Sequence, residues 1–139
     1  MKTYTVELTE RQAAIVSQAC ELVARLGMNQ VKEIFEYLPL DFNNIDYSAY
    51  HDDQRAIEAI LKKYMKKPPY NDSNEARSNI AWDLHTVIRK EIAWEHAVEE
   101  GYISSKDESR NWSKMMGVHY DDPMKTSDQP LAKVKVENK

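Results

Sequence analysis

One long periodic segment, Ser73 to Glu99, constrains the fold of this chain more than any other feature. Its apolar side chains recur at helical spacing, which predicts a single α-helix of about seven turns. On a helical wheel the apolar side chains that form the predicted core face are Ile80, Leu84, Val87, Ile88, Ile92, Trp94 and Val98. The rest of the chain is therefore expected to pack around this helix.

The opposite side of the same helix carries a second stripe, which consists of Trp82, His85, Arg89, Ala93 and His96. A helix face in contact with solvent is usually rich in Glu, Lys and Gln, whereas this stripe holds an indole, two imidazoles and a guanidinium. The pattern predicts that the second stripe is covered. Two alternatives follow from the residues: packing within the fold, or a surface that binds another subunit or a ligand.

Length and composition indicate one helix-rich domain, residues 1–139. The chain of 139 residues is 42% hydrophobic and 30% charged, with three glycines. This composition is typical of a globular domain with a hydrophobic core. No apolar run approaches the roughly 20 residues that span a bilayer, and the amino terminus lacks the apolar centre of a secretory signal. We therefore expect no membrane contact and a cytoplasmic location.

Charge and cysteine content narrow the function classes further. A net charge of −4 makes nucleic acid an improbable partner. Cys20 is the single cysteine, so no internal disulfide can form. It lies among Val16, Ala19 and Val23, which favours a core position over a nucleophilic role.

The remaining segments predict an α+β fold, mainly helical with about four to five helices and a small antiparallel sheet formed by the N- and C-terminal strands. Residues 4–8 and 132–136 alternate between apolar and polar side chains, as half-buried strands do, and 118–120 is a third extended candidate. Helices are expected from a capping box at Thr9 and Gln12 to Gly27, from 29 to 38, from 52 to 67 and within 101–117. Residues 40–51 are expected to form an ordered loop.

A group of cations and aromatic side chains follows the third predicted helix. Lysines near a helix carboxyl end are favoured by the helix dipole, so this group has a purely structural explanation. The alternative is a site for an anion, in which lysines bind phosphate and tyrosines stack on a base. The residues concerned are Lys62, Lys63, Tyr64, Lys66, Lys67 and Tyr70.

Motifs that are specific to one chemistry are missing from the sequence. It contains no glycine-rich phosphate loop, no Gly-x-Ser-x-Gly and no His-Glu-x-x-His. His85 and His96 lie about 16 Å apart along the helix axis, too far to share one metal. We therefore assign no catalytic residue, metal or cofactor. The alternative class is a small metal- or acid/base-dependent hydrolase or nuclease that uses Asp83, His85, Glu91 or Glu95.

Three stretches of the chain resemble a group of small proteins encoded in bacteriophage and prophage genomes. The stretches are LTERQAAIVSQACELVARLGMNQ near the start, IAWDLHTVIRKEIAW in the long helix and YDDPMKTSDQPLAKVKVE at the end. Shared features are the Trp82-Asp83-Leu84 start, Val87-Ile88-Arg89, Ala93-Trp94-Glu95 and the Asp121 to Lys125 turn. Residues 101–117 are longer here than in that group.

The resemblance implies a viral accessory protein that acts in a bacterial cytoplasm by binding a host component. We therefore expect a non-catalytic, homo-oligomeric binding protein that counteracts a host defence system by sequestering a small anionic or nucleotide signal, or a host protein. The candidate ligand-binding residues are the second-stripe members Trp82, His85, Arg89 and His96, together with the lysine and tyrosine group.

Overall fold

The computed structural model describes residues 1–65, 73–105 and 117–137. The longest helix, which we call α3, extends over Ser73–Glu99 and confirms the predicted helix in type and in both boundaries. It packs against the first helix, α1, which extends over Glu10–Gly27. The two helices are antiparallel, because Glu10 contacts His96 near one end of the pair and Arg25 contacts Trp82 towards the other.

The start of α1 is the predicted capping box. The Thr9 hydroxyl accepts the N–H of Gln12 at 3.3 Å, and the Gln12 side chain accepts the N–H of Thr9 at 2.8 Å. The end of α1 is not closed by a glycine in the left-handed conformation. Gly27 is the last helical residue, and Asn29 has the positive φ of 63°. Asparagine tolerates this conformation better than most residues with a Cβ.

Two shorter helices follow α1. A 3₁₀ helix extends over Val31–Tyr37, where the sequence predicted an ordinary helix from 29 to 38. Helix α2 extends over Tyr47–Lys62, so the predicted loop 40–51 is confirmed for residues 40–46 and wrong for 47–51, and the predicted bounds 52–67 are wrong. The reason lies in Asp46, whose carboxylate accepts the N–H groups of Ser48 and Ala49 and thereby caps the helix five residues early.

The predicted antiparallel sheet is wrong: the described part of the chain is helical and contains no strand. Residues 1–8 are exposed and lie outside any regular element, with Tyr4 88% exposed. Residues 118–120 form a turn instead of a strand, in which the Tyr120 N–H donates to Gly117 O at 3.2 Å. The helix predicted within 101–117 falls mostly on residues outside the described ranges.

Residues 120–127 run antiparallel to α3 instead of pairing with the amino terminus. Trp94 Nε1 donates to Tyr120 O at 3.3 Å, Lys90 binds Asp122 at 2.7 Å, and Thr126 reaches Asp83. Contacts that move along α3 in this order require a nearly extended chain, because about 16 Å of helix, from Trp94 to Asp83, are matched by six residues. This segment was not among the predicted strands, and it is side chains of α3, not a neighbouring strand, that bind it.

A small buried cluster lies near the carboxyl end of α3. Trp94, Ala97 and Ile103 form its centre, and Val98 and Tyr120 pack against it. Of the predicted core face, Val87 and Trp94 are buried, and its other members are half-buried. No helix in the described ranges is both long and apolar enough to cross a membrane.

Candidate binding surfaces

The second stripe of α3 faces α1, where polar side chains of both helices meet. We call this contact the polar seam. It is formed by Ser17, Glu21 and Arg25 of α1 and by Trp82, His85 and Arg89 of α3. The prediction that the stripe is covered is confirmed for Trp82 and His85, whose cover comes from within the fold, but it is wrong for His96, which is exposed.

His85 lies at the centre of the polar seam and is 4% exposed. Its Nδ1 atom is 3.0 Å from both the carbonyl oxygen and the hydroxyl of Ser17. A carbonyl oxygen can only accept, so the proton is assigned to Nδ1, and in the neutral ring Nε2 then carries a lone pair. The Ser17 hydroxyl donates to His85 O at 3.3 Å, so each of the two helices both donates a hydrogen bond to the other and accepts one from it.

The charged groups around His85 act on its pKa in opposite directions. Burial lowers the pKa of His85 most strongly, and Arg89 and Arg25 lower it further. Glu21 raises it, because its Oε2 atom lies 3.9 Å from His85 Nε2. The net direction is downward, so His85 is a neutral group at neutral pH.

Arg25 connects three elements. Its guanidinium binds Glu21 at 2.8 Å within α1, reaches the side chain of Gln30 at 2.9 Å, and lies 5.8 Å from the centre of the Trp82 ring. Glu33 of the 3₁₀ helix lies 3.8 Å away. A cation over an indole face is favourable, so Trp82 is held by α1 and is not free to stack on a base.

Two buried polar atoms of the polar seam have no hydrogen-bond partner, namely His85 Nε2 and Arg89 Nε. Buried polar groups are nearly always paired, and an exception calls for an explanation such as a bound water or ion. Arg89 Nε can only donate, and the lone pair of neutral His85 can only accept.

The other predicted ligand-binding residues lie elsewhere. His96 Nε2 is 2.6 Å from Glu10 on the exposed edge of the α1–α3 pair. Lys62 pairs with Glu58 at 2.6 Å, and Tyr64 is 86% exposed. Lys63 caps α2, whereas Lys66, Lys67 and Tyr70 lie outside the described residues. Since α2 makes no contact with α3 in the described ranges, the described lysines do not join the polar seam.

Asp83, a candidate acid of the enzyme alternative, binds the carboxyl-terminal segment. Its carboxylate accepts four hydrogen bonds, from the N–H and hydroxyl of Thr126 at 2.8 and 2.7 Å and of Ser127 at 3.0 and 2.6 Å. Burial raises the pKa of Asp83, but the hydrogen bonds from Ser127 and Thr126 outweigh it and lower the pKa overall. The acceptor positions of both oxygens are filled, so this carboxylate is not placed to act on a substrate.

Among the described residues no three His, Cys, Asp or Glu side chains are grouped closely enough to hold a metal ion. Cys20 is half-buried, and the predicted core position is wrong in that Val16, Ala19 and Val23 beside it are exposed. Burial raises the pKa of its thiol, which disfavours a nucleophilic role.

Two apolar helix faces are exposed. The first in the described part of the chain, which we call the α2 face, consists of Ile57, Ile60 and Leu61 of α2 together with Tyr64 in the turn after the helix, between 40% and 86% exposed. No residue of α2 is buried, and among the described elements α2 contacts only the 3₁₀ helix. The second, which we call the α1 face, consists of Ile15, Val16, Ala19 and Val23, all exposed.

Sequence reasoning missed the α1 partners of the second stripe. Ser17, Glu21 and Arg25 follow one another at four-residue intervals and so form a polar line along an otherwise apolar helix. This line on α1 is similar in length to the second stripe of α3, and that similarity was the signal that the two helices pack against each other. Thr126 and Ser127 carried no comparable signal, because their partner lies about 43 residues away in the sequence.

The chain matches no protein-family model, and neither a curated protein nor a solved structure is detectably similar to it. The resemblance to the bacteriophage group therefore stays a prediction.

Proposed function

We propose that the chain is a non-catalytic accessory binding protein that captures a host protein through the α2 face. The observation that carries this proposal is that α2 is amphipathic and yet buries none of its residues. A helix of 16 residues is only marginally stable in water without a packed apolar side. An occupant of the α2 face would supply the packing that the described part of the chain does not.

The spacing of the α2 face supports a protein partner. Ile57, Ile60 and Leu61 stand at positions i, i+3 and i+4 of α2, the spacing by which amphipathic helices dock into apolar grooves, and Tyr64 follows in the turn after the helix. These four side chains form a convex stripe, whereas small-molecule sites are concave. The partner surface is therefore a groove lined by apolar side chains.

The resemblance supplies the biological setting of the proposal. Small viral accessory proteins commonly bind host components, so the proposed partner is a protein of a bacterial defence system and the proposed location is the bacterial cytoplasm. Capture of such a protein requires no chemistry from this chain.

Site-specific photo-crosslinking in bacterial cells tests this function. A benzophenone amino acid at Ile60 is expected to form a covalent adduct with a host protein, which mass spectrometry identifies. The matched control is the same group at Arg55, an exposed position on the polar side of α2. The partner is then purified, and Ile60→Glu is expected to weaken its binding by at least about tenfold, because a charge enters an apolar contact. Adducts with no host protein, or equal adducts from both positions, would reject the proposal.

A second candidate function is the binding of a small anion at the polar seam, which the two unpartnered atoms favour. Arg89 Nε would donate to the anion, and His85 would bind it once protonated. Calorimetric titration with a panel of mono-, di- and cyclic nucleotides tests it, with Arg89→Ala as the variant and Arg55→Ala as the control. Heat that is lost in the first variant alone supports this function. Absence of heat with the wild type excludes it for those nucleotides.

A further inference from the structure

We infer that the polar seam binds one buried water molecule, which joins His85 Nε2 of α3 to Glu21 Oε2 of α1 and accepts the Nε proton of Arg89. The inference concerns atoms that the second candidate function also uses, but it does not rest on that function. It names the molecule that these atoms bind at neutral pH.

The distance across the polar seam is the first argument. His85 Nε2 and Glu21 Oε2 lie 3.9 Å apart. A direct hydrogen bond between nitrogen and oxygen measures about 2.7–3.2 Å, and a longer polar contact is commonly bridged by water. If each bridging hydrogen bond is about 2.8 Å long, the two meet at about 90°, close to the angle between the two O–H bonds of water.

The burial of His85 is the second argument. Its side chain is 5% exposed, and its Nδ1 atom is bound by Ser17, whereas Nε2 has no partner among the described residues. On the facing side chain, Arg25 binds Oε1 of Glu21, so Oε2 is the oxygen that faces the imidazole. The side chain of Glu21 is 24% exposed, so solvent water can reach the site past it.

Arg89 supplies the third polar group. It stands one turn after His85 on α3, and its positive charge acts on the imidazole. Its Nε atom is the other buried polar atom without a hydrogen-bond partner among the described residues. A buried donor and a buried acceptor that both lack a partner are satisfied together by one molecule that accepts from the first and donates to the second.

The balance of donors and acceptors identifies this molecule as water. The proton of neutral His85 is on Nδ1, so Nε2 and the carboxylate of Glu21 both accept, and Arg89 Nε donates. Two acceptors and one donor require a partner that donates twice and accepts at least once. Water has this capacity, and a buried water typically makes about three hydrogen bonds.

The same balance disfavours an ion at neutral pH. An anion has no proton to donate to the lone pair of His85, and the negative charge of Glu21 repels it. A metal cation would be repelled by Arg25 and Arg89, and the described residues contain no group of three side chains that could hold one.

Neutron diffraction from crystals of the full chain tests the inference in D₂O at about pH 7.5, where His85 is neutral. We expect one D₂O molecule within about 3.2 Å of both His85 Nε2 and Glu21 Oε2, with one deuterium directed at each atom. The exposed pair of His96 and Glu10 is the control in the same map, because its 2.6 Å contact leaves no room for a bridging molecule. A direct contact or a dry gap between Nε2 and Oε2 would overturn the inference. A polyatomic ion in the site would also overturn it and would support the second candidate function instead.

Oxygen-17 relaxation dispersion counts long-lived internal waters in solution. Glu21→Met removes one acceptor and is expected to lose one such water relative to the wild type. Glu21→Gln retains an acceptor oxygen and is expected to retain the water, and Glu10→Gln controls for the loss of an exposed carboxylate. Circular dichroism verifies that each variant is folded. Equal counts in all four proteins would overturn the inference, and because no nucleotide is present, a failed nucleotide titration would not affect this result.

Discussion

Asp83 shows how one buried residue can position a whole segment. Its carboxylate is 4% exposed and accepts four hydrogen bonds from two consecutive residues of the carboxyl-terminal segment. Hydrogen bonds to a charged group are worth more than neutral ones, and a buried carboxylate without them would be costly. The segment therefore depends on α3 for its position, although it contributes few buried side chains.

Replacing the carboxylate by an amide should release this segment. We expect Asp83→Asn to lower the free energy of unfolding by about 2–4 kcal/mol, because one acceptor oxygen becomes a donor and the charge is lost. The control is Asp122→Asn, whose side chain is 73% exposed and pairs with Lys90 at the surface. That change should cost less than about 1 kcal/mol. Urea titration measures both, and equal losses in the two variants would refute the role of Asp83.

The same carboxylate makes the free energy of unfolding depend on pH in the acidic range. Its pKa is lowered from the ordinary 3.8, so the folded chain holds this proton more weakly than the unfolded chain does. The contribution of Asp83 to the free energy of unfolding is fully present above pH 3.8. It is lost as the pH falls through the lower pKa that Asp83 has in the folded chain.

His85 should make stability depend on pH in a higher range. Its pKa is lowered from 6.5, so the unfolded chain takes up a proton first as the pH falls, and stability declines below pH 6.5. The slope is at most about 1.4 kcal/mol per pH unit for one proton. Urea titrations between pH 7 and 5 should show this decline in the wild type and in His51→Gln, but a smaller one in His85→Asn. Identical curves for all three proteins would contradict it.

At the scale of elements, local patterns identified the helices and misplaced some of their ends. The Thr9 capping box and the periodicity of α3 are local signals, and both are confirmed. The start of α2 was missed because Asp46 caps it inside a segment that is rich in turn residues, where side-chain hydrogen bonds can favour either outcome. Coverage of the second stripe was predictable, but its cover by α1 required matching two separate polar lines.

The weak packing of α2 should be visible in amide hydrogen exchange. With no buried residue and contact only to the 3₁₀ helix among the described elements, α2 should open at a cost of about 1–2 kcal/mol. The middle of α3, from Ala81 to Val87, should open only at a much higher free-energy cost, because it lies under α1 and the carboxyl-terminal segment. Exchange measured by mass spectrometry compares the two in one sample. Equal protection of both helices in the isolated protein would show that α2 has a packing partner within the chain.

At the scale of the whole molecule, the missing sheet shows that alternation in a sequence does not predict the binding partner of a segment. Alternation predicted strands at 4–8 and 132–136, whereas the segment that lies nearly extended along α3 is 120–127. Alternation does not specify what an extended segment binds, since strand pairing and side-chain acceptors on a helix satisfy the same backbone groups. The contacts of Thr126 with α3 span 43 residues of sequence, beyond the reach of any local signal.

The exposed α1 face leads to a prediction about the thermal stability of the chain. If the homo-oligomer expected from the sequence is a dimer through the α1 face and unfolding separates the two chains, the midpoint temperature must rise with protein concentration. A tenfold change in concentration is worth about 1.4 kcal/mol per dimer. With an unfolding entropy of about 2.1 cal/mol/K for each residue of both chains, the shift is about 2 °C.

For such a dimer, differential scanning calorimetry from about 5 to 500 μM should show a midpoint that rises by about 4 °C in the wild type and in Gln18→Glu, whose added charge lies outside the α1 face. Val23→Glu, which places a carboxylate within the α1 face, should unfold at one temperature throughout, because a monomer has no such mass-action term. Helix content measured by circular dichroism at the start of each scan separates loss of the dimer from loss of the fold. A wild-type midpoint that stays constant over this range would mean that the exposed valines of α1 remain in water or meet a different partner.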